Sequence, residues 1–111
     1  MGAGEETIAR RDRVKIRILT SAYEDLAEGR RFYEMQTEGI GEYFLNSLFS
    51  DIDSLKLCAG IHRKVFGFHR LLSKRFPWAV YCRFDAKEVV VFRVLDGRRD
   101  PGKIRAALHP Q

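Results

Sequence analysis

The hydrophobic period of this chain changes once, and that change limits the fold more than any other feature. Between Ser21 and Gly60 the apolar residues recur at three- and four-residue spacing, and from residue 64 onward they alternate. Helix faces repeat every 3.6 residues and strand faces every two. A chain written in this order is α+β, with its helices segregated from most of its strands.

The helical part divides in two. "SAYEDLAEGRRFYE" carries Ala22, Leu26, Gly29 and Tyr33 on one stripe, and Ser21 to Glu24 has the pattern of a capping box that opens a helix. The helix ends before Gly39. "TEGIGEYFLNSLFSDIDSLKLCAG" follows, with Phe44, Leu45, Leu48, Ile52 and Leu55 facing inward and Glu42, Asn46, Asp51 and Asp53 outward; Gly60 is its stop. Its aromatics Tyr43, Phe44 and Phe49 are expected in the core. A connection this short packs the two as an antiparallel hairpin.

Strands flank the hairpin. "VKIRIL" (Val14–Leu19) alternates apolar and basic residues, as a half-buried N-terminal strand does. "KVFGFHRLLS", "RFPWAVYCRF" and "EVVVFRVL" read as three strands of an antiparallel meander. Trp78, Val80, Cys82 and Phe84 share one face of the second, with Ala79, Tyr81 and Arg83 opposite. In the third, Val90, Phe92 and Val94 share a face, against Val89, Val91, Arg93 and Leu95. Both faces are apolar, so these strands are central. Two helices cover only one side of such a sheet, which leaves the other as a surface for a partner. Asp100 and Pro101 are a strong N-cap and first-turn pair, so "DPGKIRAAL" starts a short C-terminal helix.

At 111 residues the chain is one domain: a charged, flexible leader over residues 1–13 and a single unit over 14–111. The leader has no apolar run, so neither a signal peptide nor a membrane anchor is expected. Cys58 and Cys82 sit inside apolar stretches and read as small buried hydrophobes, as suits a reducing cytoplasm. Charge is unevenly divided: residues 1–59 carry 8 Lys/Arg against 11 Asp/Glu, and residues 60–111 carry 12 against 4. A basic half points to phosphate or to an acidic protein.

The arginine pair Arg98-Arg99 is not explained by the cap that follows it. With Arg93, Arg83 and Arg70 it forms the candidate anion- or target-binding set; pairing with Asp96 and Asp100 is the structural alternative. Acid–base candidates are few. His62, His69 and His109 are isolated in sequence, and Glu88 at a strand start has no histidine coupled to it. The catalytic residue stays unassigned. There is no Gly-rich phosphate loop, no metal-ligand spacing and no Ser/His/Asp order, so neither a metal nor an organic cofactor is expected.

"KRFPWAVYCRFDAKEVVVFRVLDGRRDP" (Lys74–Pro101) resembles the stretch of the RelE/ParE toxin family in which a basic-Phe-Pro-aromatic segment, a Tyr-x-Arg strand and a valine-rich strand lead into Arg-Arg-Asp-Pro. That ending is characteristic of the ParE-like branch. "TSAYEDLAEGRRFYE" fits the family's first helix, with Ala22, Asp25 and Leu26 at the usual places, and the likeness runs from about residue 14 to 108.

The resemblance implies a cytoplasmic toxin of a type II toxin–antitoxin (plasmid stabilisation) pair, bound and neutralised by a cognate antitoxin protein. It implies DNA gyrase as the target, inhibited by binding rather than by covalent chemistry. The alternative is a RelE-like ribosome-dependent endoribonuclease acting on messenger RNA, which such members support with a lysine- and arginine-dense centre and often a terminal tyrosine; this chain has no tyrosine after Tyr81. An inactive antitoxin-binding relic is a third reading. One departure stands out: the residue two before the arginine pair is often His in ParE-like sequences and is Asp96 here, a carboxylate beside the cations.

Overall fold

β1 (Lys15–Ile18) alternates exposed and half-buried residues, as its sequence does. In the computed structural model, which describes residues 14–57, 63–85 and 87–110, this strand lies parallel to the last one. The described residues form a five-stranded sheet and three α-helices: α1 (Thr20–Gln36), α2 (Ile40–Asp53), a 3₁₀ turn (Ser54–Lys56), β2 (Lys64–Val65), β3 (Phe68–Leu72), β4 (Trp78–Asp85), β5 (Glu88–Asp96) and α3 (Pro101–Leu108). Sheet order is β1-β5-β4-β3-β2, with every pair but β1·β5 antiparallel. The α+β class, the hairpin, the meander and the short last helix are as the sequence suggests. The leader, Cys58, Gly60 and His62 lie outside the described residues.

Two cores result. On one side α1 and α2 bury Ala22, Leu26, Phe44, Leu48 and Ile52 against Trp78, Val80, Cys82, Val89, Val91 and Val94. On the other, Ile104 and Leu108 of α3 pack on Phe68, Ala79, Tyr81 and Leu95. The second core corrects the expectation of an open sheet face: α3 folds back over it. The large apolar side chains that remain exposed sit mainly on the hairpin, at Tyr23, Phe32, Met35, Tyr43 and Phe49, with Leu57 and Leu72 elsewhere. Tyr43 and Phe49 are therefore not core residues, whereas Phe44 is.

Local departures have physical causes. α1 begins at Thr20, a residue before Ser21, so the capping box does not form; the Ser21 hydroxyl instead donates to the Phe92 carbonyl at 2.8 Å. The segment from Lys64 to Leu72 is a hairpin rather than one strand, because Phe66 and Gly67 both take positive φ, 55° and 86°, and make a two-residue turn. Gly supplies such a conformation freely; Phe66 holds it while its carbonyl lies 2.8 Å from the His109 ring nitrogen.

In β5 the alternation slips. Tyr81 opposes Arg93 and Cys82 opposes Val91, which leaves Phe92 as a bulge. Val94 consequently joins Val89 and Val91 under the hairpin, while Phe92 packs toward α3. Asp51, expected outside, is buried at 4% exposure and accepts from the Ser73 hydroxyl at 2.7 Å. α2 has no side chain at its N-cap, Gly39. Glu34 of α1 substitutes, accepting from the amides of Gly39 and Gly41 at 3.0 and 2.8 Å, and those two bonds hold its carboxyl below the ordinary carboxylate range.

Candidate functional site

β5 outruns β1. Past Val91 its outer edge has no strand partner among the described residues, and α1 closes it with side chains. Ser21 takes the Phe92 carbonyl, and Asp25, one turn later, accepts the Val94 amide at 3.0 Å. The same Asp25 carboxylate holds Arg93 through both oxygens at 2.7 and 2.8 Å, and Arg93 also donates to the Ala107 carbonyl at 3.2 Å. Arg93 thus joins α1, β5 and α3. The hydrogen bonds to Asp25 raise its pKa further.

Beyond Asp96 the chain turns. The Gly97 amide donates to the Pro77 carbonyl at 2.7 Å, and a Cβ at Gly97 would stand 3.3 Å from that oxygen. The Asp96 carboxylate faces back on the turn, accepting from Arg98 Nε at 3.0 Å, Arg98 Nη2 at 2.7 Å and the Arg98 amide at 2.9 Å. The guanidinium hydrogen bond, helped by that amide, holds the Asp96 carboxyl below its ordinary value. Asp100 is committed to capping α3 through the Gly102 amide at 3.1 Å. Arg99 leans toward Glu28, but only to 3.8 Å. Between them Glu28, Gly29, Phe32, Trp78, Asp96 and Arg99 line a cleft of about 200 Å³.

The remaining arginines lie elsewhere. Register places Arg70 opposite Tyr81, on the sheet face that α3 covers in part. Arg83 shares that face, its guanidinium stacked 4.1 Å from the Phe68 centroid and 5.3 Å from that of Phe92. The five arginines singled out in the sequence therefore divide: Arg70, Arg83 and Arg93 belong to one sheet face, and Arg98 and Arg99 to the turn past β5. Glu88 pairs with Arg17 at 3.2 Å, His109 is engaged with Phe66, and His69 stacks on Phe84 at 4.6 Å.

Asp25 entered the sequence reading only as one of the first-helix residues that carry the family resemblance, with no role assigned to it, and Arg63 escaped that reading. Arg63 became relevant once the Phe66-Gly67 turn set it opposite Arg70, and the glycine is the signal that could have shown it. Trp78 and Phe76 pack against the hairpin core: Trp78 is buried, edge-on to Phe44 at 4.9 Å, with its indole N–H on the Tyr33 hydroxyl at 3.0 Å, and Phe76 is partly buried beside it. Among the described residues no helix is long and apolar enough to cross a membrane.

No protein-family model matches the chain, and no curated protein matches it by sequence. Its structure is similar to a chain of the solved "Chromosomal ParDE TA system from P. aeruginosa", with a TM-score of 0.68 over 76% of this chain and 96% of that one, at 18% identity. The likeness is one of fold: this chain shares the α+β architecture of that chain.

Proposed function

We propose that the chain is the toxin of a type II toxin–antitoxin pair, bound by a small antitoxin protein and, when released, arresting growth by binding DNA gyrase. The fold likeness to a chain of a ParDE system is the observation that carries this reading. The exposed aromatic residues of the α1–α2 hairpin supply the surface an antitoxin covers, since α3 already occupies much of the second sheet face.

Gyrase is favoured over messenger-RNA cleavage by where the acid–base candidates stand. Cleavage of RNA needs a base and an acid beside the cations that hold the phosphate. Among the described candidates, Glu88 is taken up by Arg17, His109 by Phe66, and His69 lies on the opposite sheet face from Arg70 and Arg83.

The test is induction in a bacterial host, with and without the neighbouring small reading frame. The expected sequence is filamentation, a DNA-damage response and cleaved DNA trapped on gyrase, all suppressed by the small protein. Immediate arrest of protein synthesis with cut messenger RNA, before DNA damage, overturns the gyrase reading; no arrest at all overturns the toxin reading.

A further inference from the structure

The sheet face beside α3 holds an arrangement that stability alone does not explain. Lys64 pairs with His69 and Val65 with Phe68, and the Arg70 amide donates to the Arg63 carbonyl at 2.8 Å, so Arg63 and Arg70 stand directly opposite across β2 and β3. Like charges so placed are destabilising. Arg83 lies diagonally from Arg70, two residues past its partner Tyr81, at a spacing of about 7–8 Å for such positions. None of the three has an ion-pair partner among the described residues.

Among the described residues the carboxylates of this face are confined to its far row, Asp85 opposite Glu88, and Glu88 is already paired with Arg17. α3 has no acidic side chain, and it adds exposed Lys103 and Arg105. The aromatic rings here carry the cation: Phe68 is 2% exposed and lies beneath the Arg83 guanidinium, its ring centroid 4.1 Å away.

We infer that Arg63, Arg70 and Arg83 form a site for the phosphate backbone of double-stranded DNA, read without regard to sequence, with exposed Arg105 of α3 adding to the positive charge. Guanidinium groups carry the charge and geometry for phosphate. Recognition of single-stranded RNA relies on rings offered for base stacking, and on this face Phe68 and Tyr81 are buried, with Phe66 and Phe92 partly so and Phe92 beside the Arg83 guanidinium. The inference goes beyond the toxin reading and is tested apart from it, by binding in solution.

The full chain is titrated into two unrelated fluorescent DNA duplexes between about 50 and 200 mM salt. Equal affinity for both is expected, falling steeply with salt, because each neutralised phosphate contributes about 0.9 to the log–log slope. Arg63→Gln/Arg70→Gln should bind with a slope shallower by about 1.8, which removes roughly a 12-fold share of the salt effect over that range. Arg63→Lys/Arg70→Lys should keep the wild-type slope, and melting curves confirm that both variants are folded. Absence of duplex binding at the lower salt overturns the inference. So does a Gln variant with wild-type affinity and slope, or a single-stranded RNA of the same length that outcompetes the duplex.

Discussion

Asp25 grips Arg93 through both carboxylate oxygens, and one of those oxygens also accepts the amide of Val94. One buried acid thereby neutralises a largely buried cation and satisfies the edge of β5. Three elements meet at this point, because Arg93 reaches on to the last turn of α3.

Asp25→Ala should therefore cost about 3–5 kcal/mol, the range for removing one partner of a buried pair. The Val94 amide and the Arg93 guanidinium are both left without their acceptor. Adding Arg93→Ala should cost less than the sum of the single changes, since the orphaned charge goes with it. Equilibrium denaturation of the four proteins checks both statements. An unchanged midpoint for Asp25→Ala would remove the structural role assigned here.

Gly29 is where α1 meets the aromatic core. A Cβ there would stand 2.6 Å from Phe44 Cζ and 2.9 Å from Trp78 Cη2. Ala gains about 1 kcal/mol over Gly in helix propensity, while overpacking costs about 1–3 kcal/mol. Gly29→Ala is expected to be destabilising on balance. Trp78→Ala should cost about 3–5 kcal/mol, and in that background Gly29→Ala should lose part of its penalty, because one of the two rings it strikes is gone and Phe44 has room to shift. Thermal melts of the single and double variants measure this coupling; full additivity would contradict it.

The elements were legible in the sequence because their signals are local: alternation in β4, the Asp-Pro cap of α3, the stripe of α1. Their docking was less so. Asp51 looks like any helix-surface carboxylate until Ser73 arrives from 22 residues away to meet it. The Phe92 bulge follows from the pairing of β5 with β4, not from β5 itself, so strict alternation put Val94 on the wrong face. The arginines were identifiable as a set by charge, yet their division between a sheet face and a turn depends on register. Asp96 was legible as a departure from the usual His, and the structure shows what the carboxylate does: it holds Arg98.

That contact gives Asp96 a pH signature. Its folded-state pKa lies below the ordinary value, first through the Arg98 guanidinium hydrogen bond. For a depressed carboxyl the stabilising contribution is complete above the unfolded value of about 3.9 and is lost as pH falls through the folded one. The Asp96–Arg98 contact should thus hold at neutral pH and be lost only in acid below about pH 4. Titration followed by NMR should show the Asp96 carboxyl moving up toward the ordinary value in Arg98→Ala, and no movement would show that Arg98 is not its cause.

The arginine pair itself is the sharpest test of the functional reading. Arg98 is bonded to Asp96 in the open, with 58% of its side chain exposed, and exposed pairs contribute only about 0–1 kcal/mol. Arg99 is tied more loosely still, at 3.8 Å from Glu28. The turn does not depend on either guanidinium, because Gly97 is held by Pro77 and α3 is capped by Asp100. Arg98→Ala/Arg99→Ala should therefore melt within a few degrees of wild type and still bind the antitoxin-sized partner, while losing growth arrest. Arg98→Lys/Arg99→Lys separates charge from geometry: restored arrest would assign the role to charge alone, and continued loss would assign it to the planar, two-pronged contact that only arginine makes. If the double Ala variant still arrests growth, the pair is a solvated turn and the target contact lies elsewhere on the molecule.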